Sequence, residues 1–115
     1  MKLLTKQDTE QLIRNGRASS VIEGGIDHKP VLKLFTPDAN CTWLLSELDE
    51  DNPDLAWGLC DLGLGFPETG YVLISEIEEL RGKLGLPVER DRGFKADKTI
   101  SEYARIASRE EHIVA

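Results

Sequence analysis

The sequence from Cys41 to Ile74, CTWLLSELDEDNPDLAWGLCDLGLGFPETGYVLI, decides the fold. It contains three apolar runs, which are separated by an acidic turn and by a loop rich in glycine and proline. Apolar runs bounded by Asp, Asn, Pro and Gly are typical of β-strands joined by turns. The stretch also holds both tryptophans and both cysteines of the chain. We therefore expect it to form the antiparallel core of a small domain, with an acidic rim at its turns.

Within this core, Thr42–Leu48 and Leu55–Leu62 are predicted to pair as a hairpin around the acidic turn. The six-residue loop does not determine the register of the two strands, which can differ by one residue. A shift of one residue moves every side chain of a strand to the opposite face of the sheet. In one register Trp43 lies opposite Leu59, and in the other it lies opposite Cys60. The sequence is compatible with both registers.

The flanking segments predict three helices and further strands. Three Ser or Thr residues are each followed by an acid three positions later, a pattern typical of helix starts: Thr5 with Asp8, Ser75 with Glu78, and Thr99 with Glu102. Glycine predicts that the first two helices end at Gly16 and Gly85, and the residues from Arg109 onward are expected to fray. Further predicted strands are Pro30–Phe35 and Tyr71–Ile74, and the charged segment Val88–Phe94 is expected to form an edge strand or an extended arm.

Strands in the middle of the chain with helices at both ends favour the α+β class. We expect one small domain over residues 1–115, with an N-terminal helix, a central antiparallel sheet and two C-terminal helices. The sheet is expected to have about four or five strands, with two or three helices packed on it and covering one face. A chain of 115 residues is long enough to bury one hydrophobic core.

The charge of the chain is unevenly distributed. Its net charge is −7, yet no lysine or arginine occurs between Lys33 and Arg81, an interval that contains eleven carboxylates. A surface of this sign repels nucleic-acid phosphates and attracts basic surfaces. We therefore expect no direct binding of nucleic acid, and we expect a basic protein surface as the partner.

The chain has no run of about 18 apolar residues, and its start turns polar after Leu4. We therefore expect a cytoplasmic protein that has no membrane partner. Cys41 and Cys60 are then expected to be reduced and buried, since two lone cysteines make no zinc spacing. No sequence motif predicts a cofactor.

Six carboxylates of the core stretch are the candidate partner-binding acidic face: Glu47, Asp49, Asp51, Asp54, Asp61 and Glu68. The hypothesis is a non-enzymatic module, with no catalytic residue, that binds a basic protein surface. Its sharpest form is a nucleic-acid-mimicking inhibitor of a DNA-acting enzyme, since carboxylates spaced like phosphates fit a basic groove. No metal site is expected, because the acidic turn lacks the spacing of a calcium-binding loop.

Asp61, Glu47 and Glu68 support an alternative from another class, a small hydrolase or nuclease that depends on Mg²⁺ or Mn²⁺. It requires these carboxylates to converge in one pocket, whereas a mimic requires them on an exposed face. A purely structural reading of Asp61 is that it caps the following loop through backbone amides. A third hypothesis, a structural subunit with Trp43 or Trp57 in an oligomer interface, requires those side chains to be exposed.

Nearly the whole chain resembles a family of small bacterial proteins, domain of unknown function 2958. Four segments carry the resemblance: LLTKQDTEQLIRNG (3–16), KPVLKLFTPDANCTWLLSELD (29–49), DLAWGLCDLGLGFPETGYV (54–72) and SEIEELRGKLGLPVERDRGF (75–94). Where such relatives commonly read E-L-G-Y-V, this chain has Thr69 in place of the leucine. The resemblance implies a protein carried by plasmids and other mobile elements, often near anti-restriction and DNA-metabolism genes. It implies no mechanism and no catalytic residue.

Overall fold

The computed structural model describes residues 3–115, which form five strands and three helices. In chain order these are α1 (Lys6–Ser20), β1 (Leu32–Phe35), β2 (Thr42–Leu48), β3 (Leu55–Asp61), β4 (Glu68–Leu73), α2 (Ile74–Glu79), β5 (Glu89–Arg90) and α3 (Ile100–Glu110). The strands form one sheet in the order β4-β3-β2-β1-β5, and every neighbouring pair is antiparallel. The predicted α+β class and the numbers of strands and helices are confirmed.

The pairing of β2 with β3 places Trp43 opposite Cys60, which selects the second of the two registers. The register shifts at Ser46, which forms a β-bulge. A bulge puts two residues of one strand opposite one residue of its neighbour. As a result Glu47 pairs with Trp57 and shares its face of the sheet.

The helices cover both faces of the sheet, so the expectation that they cover one face is wrong. Leu44 packs with Tyr103 of α3 in one core cluster. The adjacent Trp43 and Leu45 pack with Leu12 of α1 in the other cluster. Successive side chains of a strand point to opposite faces, and a continuous apolar run such as the one in β2 is typical of a strand buried on both.

Helix α1 begins at the predicted capping box of Thr5 and Asp8, but it runs past Gly16 to Ser20. Gly16 lies against the backbone of β2, where a Cβ would stand 2.1 Å from the carbonyl oxygen of Leu48. The absent side chain therefore allows the close approach of helix and strand. The prediction that the helix ends at Gly16 is therefore wrong. This glycine serves a contact with Leu48, a residue distant in the sequence, and does not mark the end of the helix.

Helix α2 is shorter than predicted, and Ser75 is not its N-cap. The carboxylate of Asp54 accepts hydrogen bonds from the backbone N–H and the hydroxyl of Ser75, at 2.9 and 2.6 Å. Beyond the helix, the carboxylate of Asp38 accepts the backbone N–H of Leu84 at 2.7 Å and holds that segment as a loop. The prediction that this helix continues to Gly85 is wrong, because the helix ends at Glu79 and the backbone of Leu80 is extended.

The C-terminal segment is anchored to the sheet. Helix α3 begins at the predicted capping box of Thr99 and Glu102. Ile113 is buried, and its backbone N–H donates to a carboxylate oxygen of Asp61 at 2.9 Å. The prediction that this segment frays is therefore wrong for Ile113.

The predicted edge strand in the charged segment is present as β5, although it is only two residues long. Its Arg90 forms an ion pair with Asp8 of α1 and donates a hydrogen bond to the carbonyl of Leu3 at 3.0 Å. Within residues 3–115, no helix is long and apolar enough to cross a membrane.

Candidate functional site

A cleft of about 450 Å³ opens at the end of the sheet where β2 turns into β3. Its walls are the last turn of α1, the segment Gly24–Ile26 and the turn between β2 and β3. Four carboxylates and two aromatic side chains line it: Glu47, Asp49, Glu50, Asp51, Trp57 and Tyr71. We call this site the acidic cleft.

One side of the acidic cleft is a row of three side chains on neighbouring strands. Glu47 on β2 pairs with Trp57 on β3, and Trp57 pairs with Tyr71 on β4. Paired residues lie on the same face and neighbouring strands are about 5 Å apart, so the row spans about 10 Å. Trp57 is half-buried, whereas Tyr71 is 70% exposed. A carboxylate beside two aromatic rings is a combination that attracts cations.

Contacts with α1 hold Glu47 in the acidic cleft. The hydroxyl of Ser19 donates to a carboxylate oxygen of Glu47 at 2.7 Å, and the same hydroxyl accepts the backbone N–H of Ile26 at 3.1 Å. The side-chain amide of Asn15 donates to the carbonyl of Ser46 at 3.0 Å and fixes the adjacent bulge. Among the described residues, no cation forms an ion pair with Glu47.

One ion pair lies at the rim of the acidic cleft. Arg17 Nε donates to a carboxylate oxygen of Glu50 at 2.7 Å, with both side chains exposed. The hydrogen bond from Arg17 lowers the pKa of Glu50, and the same bond raises the pKa of Arg17. The lining side chains comprise four carboxylates and one guanidinium, a net charge of −3.

Three of the six predicted acidic residues therefore meet in the acidic cleft: Glu47, Asp49 and Asp51. One carboxylate oxygen of Asp49 accepts the backbone N–H groups of Asp51 and Asn52, at 2.8 and 3.2 Å, which shapes the turn. Asp51 is exposed and lines the acidic cleft.

The other three predicted residues lie elsewhere. Asp54 is on the same turn, but its carboxylate binds Ser75 at the start of α2. Asp61 is buried at the far end of β3, and its two oxygens accept the N–H groups of Gly63 and Ile113, each at 2.9 Å. The prediction that Asp61 caps the following loop is confirmed. Glu68 is exposed at the start of β4.

Glu47, Asp61 and Glu68 do not converge, as the metal-dependent hydrolase requires. Glu47 pairs with Trp57, four positions before Asp61 on β3, so the two carboxylates are separated by about 13 Å along the sheet. Glu68 pairs with Cys60 and so lies on the opposite face from Asp61. Within residues 3–115, no group of three or more His, Cys, Asp or Glu side chains is arranged to hold a metal ion.

The shifted pKa values do not indicate a general acid or a nucleophile. Burial opposes ionisation of Asp8, but hydrogen bonds from Arg90 and Thr5 bring its pKa below the ordinary value. A general acid requires a pKa shifted upward. Burial raises the pKa of the Cys60 thiol to about 11, and burial also raises the pKa of Cys41. Both thiols are unpaired, and such pKa values make them poor nucleophiles at neutral pH.

Sequence reasoning did not place Trp57 and Tyr71 beside Glu47. The meeting of these two rings with Glu47 depends on the bulge in β2 and on the register of two hairpins. The third hypothesis, which places tryptophans in an oligomer interface, is not supported for Trp43, which is 3% exposed.

Comparisons with known proteins identify the family. A search of curated proteins and a search of solved structures each found no match. The family model DUF2958, described as a protein of unknown function, matches residues 3–114. That match covers nearly the whole chain, and the chain therefore belongs to the DUF2958 family.

Proposed function

We propose that this protein is a non-enzymatic binding module whose acidic cleft receives a lysine or arginine side chain of a protein partner. The observation that carries the proposal is the row of Glu47, Trp57 and Tyr71 across three strands. A basic side chain in the cleft would lay its aliphatic stem and cationic head along the two rings. Its charge would then meet the carboxylate of Glu47, which Ser19 already holds in position.

The surrounding electrostatics favour the same occupant. The last turn of α1 lines the acidic cleft, and the C-terminal end of a helix carries partial negative charge. The cleft side chains are themselves net negative, and the lining residues Asp49 and Asp51 contribute to that charge. Complementary charge of this kind accelerates encounter with basic partners and discourages acidic ones.

The nucleic-acid-mimicking inhibitor is a narrower form of this proposal, in which the basic side chain belongs to the groove of a DNA-acting enzyme. Asp54 and Asp61 would not contribute, since their carboxylates bind groups of the chain itself. The carboxylates offered to such a groove are therefore those of the acidic cleft and the exposed Glu68. A cytoplasmic location and association with mobile elements belong to this narrower proposal.

The test is selection of random peptides on the immobilised protein, run in parallel on two variants. Glu47→Gln removes the charge but keeps an oxygen to accept the bond from Ser19. The control, Glu10→Gln, removes an exposed carboxylate of α1 that does not line the cleft. We expect enrichment of lysine- and arginine-containing peptides on the wild type and on Glu10→Gln, and a loss of that enrichment on Glu47→Gln.

The selected peptides are then titrated at low and high salt. Screening of the cleft charges should weaken the affinity by about tenfold between 50 and 300 mM salt. Enrichment of peptides without basic residues, or equal enrichment on Glu47→Gln, contradicts the proposal.

The narrower form is tested by affinity capture with the tagged protein from nuclease-treated extract of its host, in parallel with an Asp49→Asn/Asp51→Asn variant. It requires a captured DNA-acting enzyme that releases duplex DNA when the purified wild-type protein is added.

A further inference from the structure

Strand β4 is an edge strand whose outer side is open. The sheet ends at β4, and none of the described residues pairs with its outer edge. Its six residues, ETGYVL, include neither proline nor lysine, and they pair with β3 in six consecutive positions without a bulge. Proteins commonly protect such edges with prolines, lysines or bulges. The opposite edge, β5, is two residues long and is formed by Glu89 and Arg90.

Exposed apolar side chains lie in the loop before β4 and within β4 itself. Leu62, Leu64 and Phe66 precede β4 in the connecting loop and are 57%, 73% and 79% exposed. Tyr71 within β4 is 70% exposed. Large exposed apolar side chains are typical of interaction sites, and Tyr71 places one of them on the open strand itself.

The open edge is continuous with the acidic cleft through Tyr71. This residue belongs to β4 and is also the outermost member of the row that begins at Glu47. A strand added to β4 would place one of its residues opposite Tyr71, about 5 Å away and on the same face. That residue would extend the row by one position.

We propose that the partner binds as an extended segment that adds a sixth strand to the sheet at β4. A lysine or arginine of that segment lies opposite Tyr71 and extends over its ring toward Trp57 and the acidic cleft, whose negative charge attracts it. Backbone hydrogen bonds to β4 provide affinity, and the cleft selects the side chain, as in other cases of strand addition. This inference rests on the proposed function and specifies the conformation in which the partner is recognised.

Charge favours a basic segment over a second copy of this chain. Pairing of two β4 strands would bring together two acidic clefts and two copies of Glu68, with no lysine or arginine from residues 34–80 to compensate. Like charges across an interface oppose association. A basic segment brings the complementary charge.

Amide hydrogen exchange measured by NMR tests the inference on the full chain. The probe is the peptide acetyl-Thr-Val-Arg-Val-Arg-Val-Thr-amide, whose two arginines fall on one face of an extended strand. The matched control replaces both arginines with glutamine. A second control is an alanine-based helical peptide that carries two arginines.

We expect alternate amides of β4 to exchange at least about tenfold more slowly with the arginine peptide, because only alternate residues of a strand face outward. The glutamine peptide should give much weaker protection. Binding that perturbs the Trp57 indole but leaves the β4 amides unprotected overturns strand addition and leaves the proposed function standing. No binding by either arginine peptide overturns both. If the β4 amides exchange more slowly at higher protein concentration without any peptide, a second copy of the chain occupies the edge, and this result also overturns the inference.

Proline variants provide a second measurement. The backbone N–H groups of β4 point alternately toward β3 and outward. One of the two neighbouring substitutions Thr69→Pro and Gly70→Pro therefore removes an outward N–H and leaves the hydrogen bonds to β3 intact. The variant that keeps the wild-type melting temperature should lose affinity for the arginine peptide by about tenfold or more. Full affinity in that folded variant contradicts strand addition.

Discussion

Replacement of Gly16 by alanine separates two physical effects that predict opposite results. Gly16 lies within α1, and alanine is favoured over glycine in a helix by about 1 kcal/mol. On propensity alone, Gly16→Ala would stabilise the protein. The structure predicts destabilisation, because a Cβ at this position would stand 2.1 Å from the carbonyl oxygen of Leu48 and 3.1 Å from its carbonyl carbon.

The expected magnitude follows from that distance. An ordinary carbon–oxygen contact is about 3.3 Å, so α1 or β2 must move by about 1 Å to accept the new methyl group. Overpacking typically costs about 1–3 kcal/mol, and we expect about 3 kcal/mol here because the obstacle is backbone that cannot rotate away. After the gain in helix propensity, the free energy of unfolding should fall by about 2 kcal/mol. For a chain of this length, that loss lowers the melting temperature by about 8 °C.

Thermal and urea unfolding, followed by circular dichroism and tryptophan fluorescence, measure the effect. The matched control is Gly70→Ala, since nothing lies within 4 Å of a Cβ at that position. The control should unfold at or slightly above the wild-type temperature, because alanine restricts the unfolded chain. If Gly16→Ala is as stable as the wild type or more stable, α1 does not lie against Leu48 as described.

Three further predictions concern groups outside the acidic cleft. Asp61→Ala leaves two backbone N–H groups without their acceptor. We expect the free energy of unfolding measured in urea to fall by about 2–4 kcal/mol and the Ile113 amide to exchange faster. An unchanged exchange rate of the Ile113 amide would contradict this role of Asp61. The pKa of Asp8 is lowered in the folded state by hydrogen bonds, mainly from Arg90, that outweigh its burial. Its stabilising contribution is therefore present above about pH 4 and is lost as the pH falls through the folded value, so Asp8→Asn should flatten the acid limb of a stability–pH curve. Burial raises the pKa of Cys60 to about 11, so its alkylation by iodoacetamide at pH 8 should be about 100-fold slower than that of a free thiol, and mass spectrometry of the native and urea-unfolded protein checks this rate.

Several features of the fold follow from local patterns. The capping boxes at Thr5 and Thr99 begin helices as predicted, because the bonds that define them join residues three positions apart. Consecutive apolar residues separated by turn formers correctly located β2 and β3. The same local rules failed at Ser75, where Asp54 from another turn supplies the hydrogen bonds. Local signals succeed when the deciding contact is itself local.

The candidate site was only partly accessible from the sequence. Glu47, Asp49 and Asp51 were selected because they are acidic and close together in the chain, and the structure places them in one cleft. Asp61 was selected as an acid at the end of an apolar strand, yet it is buried and its carboxylate has a structural role. Tyr71 carried no signal of its own, since its position depends on the pairing of β4 with β3.

The order of residues thus determined the class of the fold, the acidic character of the central segment and the positions of most strands and helices, because propensity, periodicity and charge act over a few neighbours. The tertiary structure decided which carboxylates are available to a partner. A one-residue bulge at Ser46 turned Glu47 toward Trp57, and the packing of α1 at Gly16 closed the cleft around it. These outcomes depend on contacts between residues about 30 positions apart or across a ladder whose register can shift by one, and such contacts leave no pattern in the local sequence.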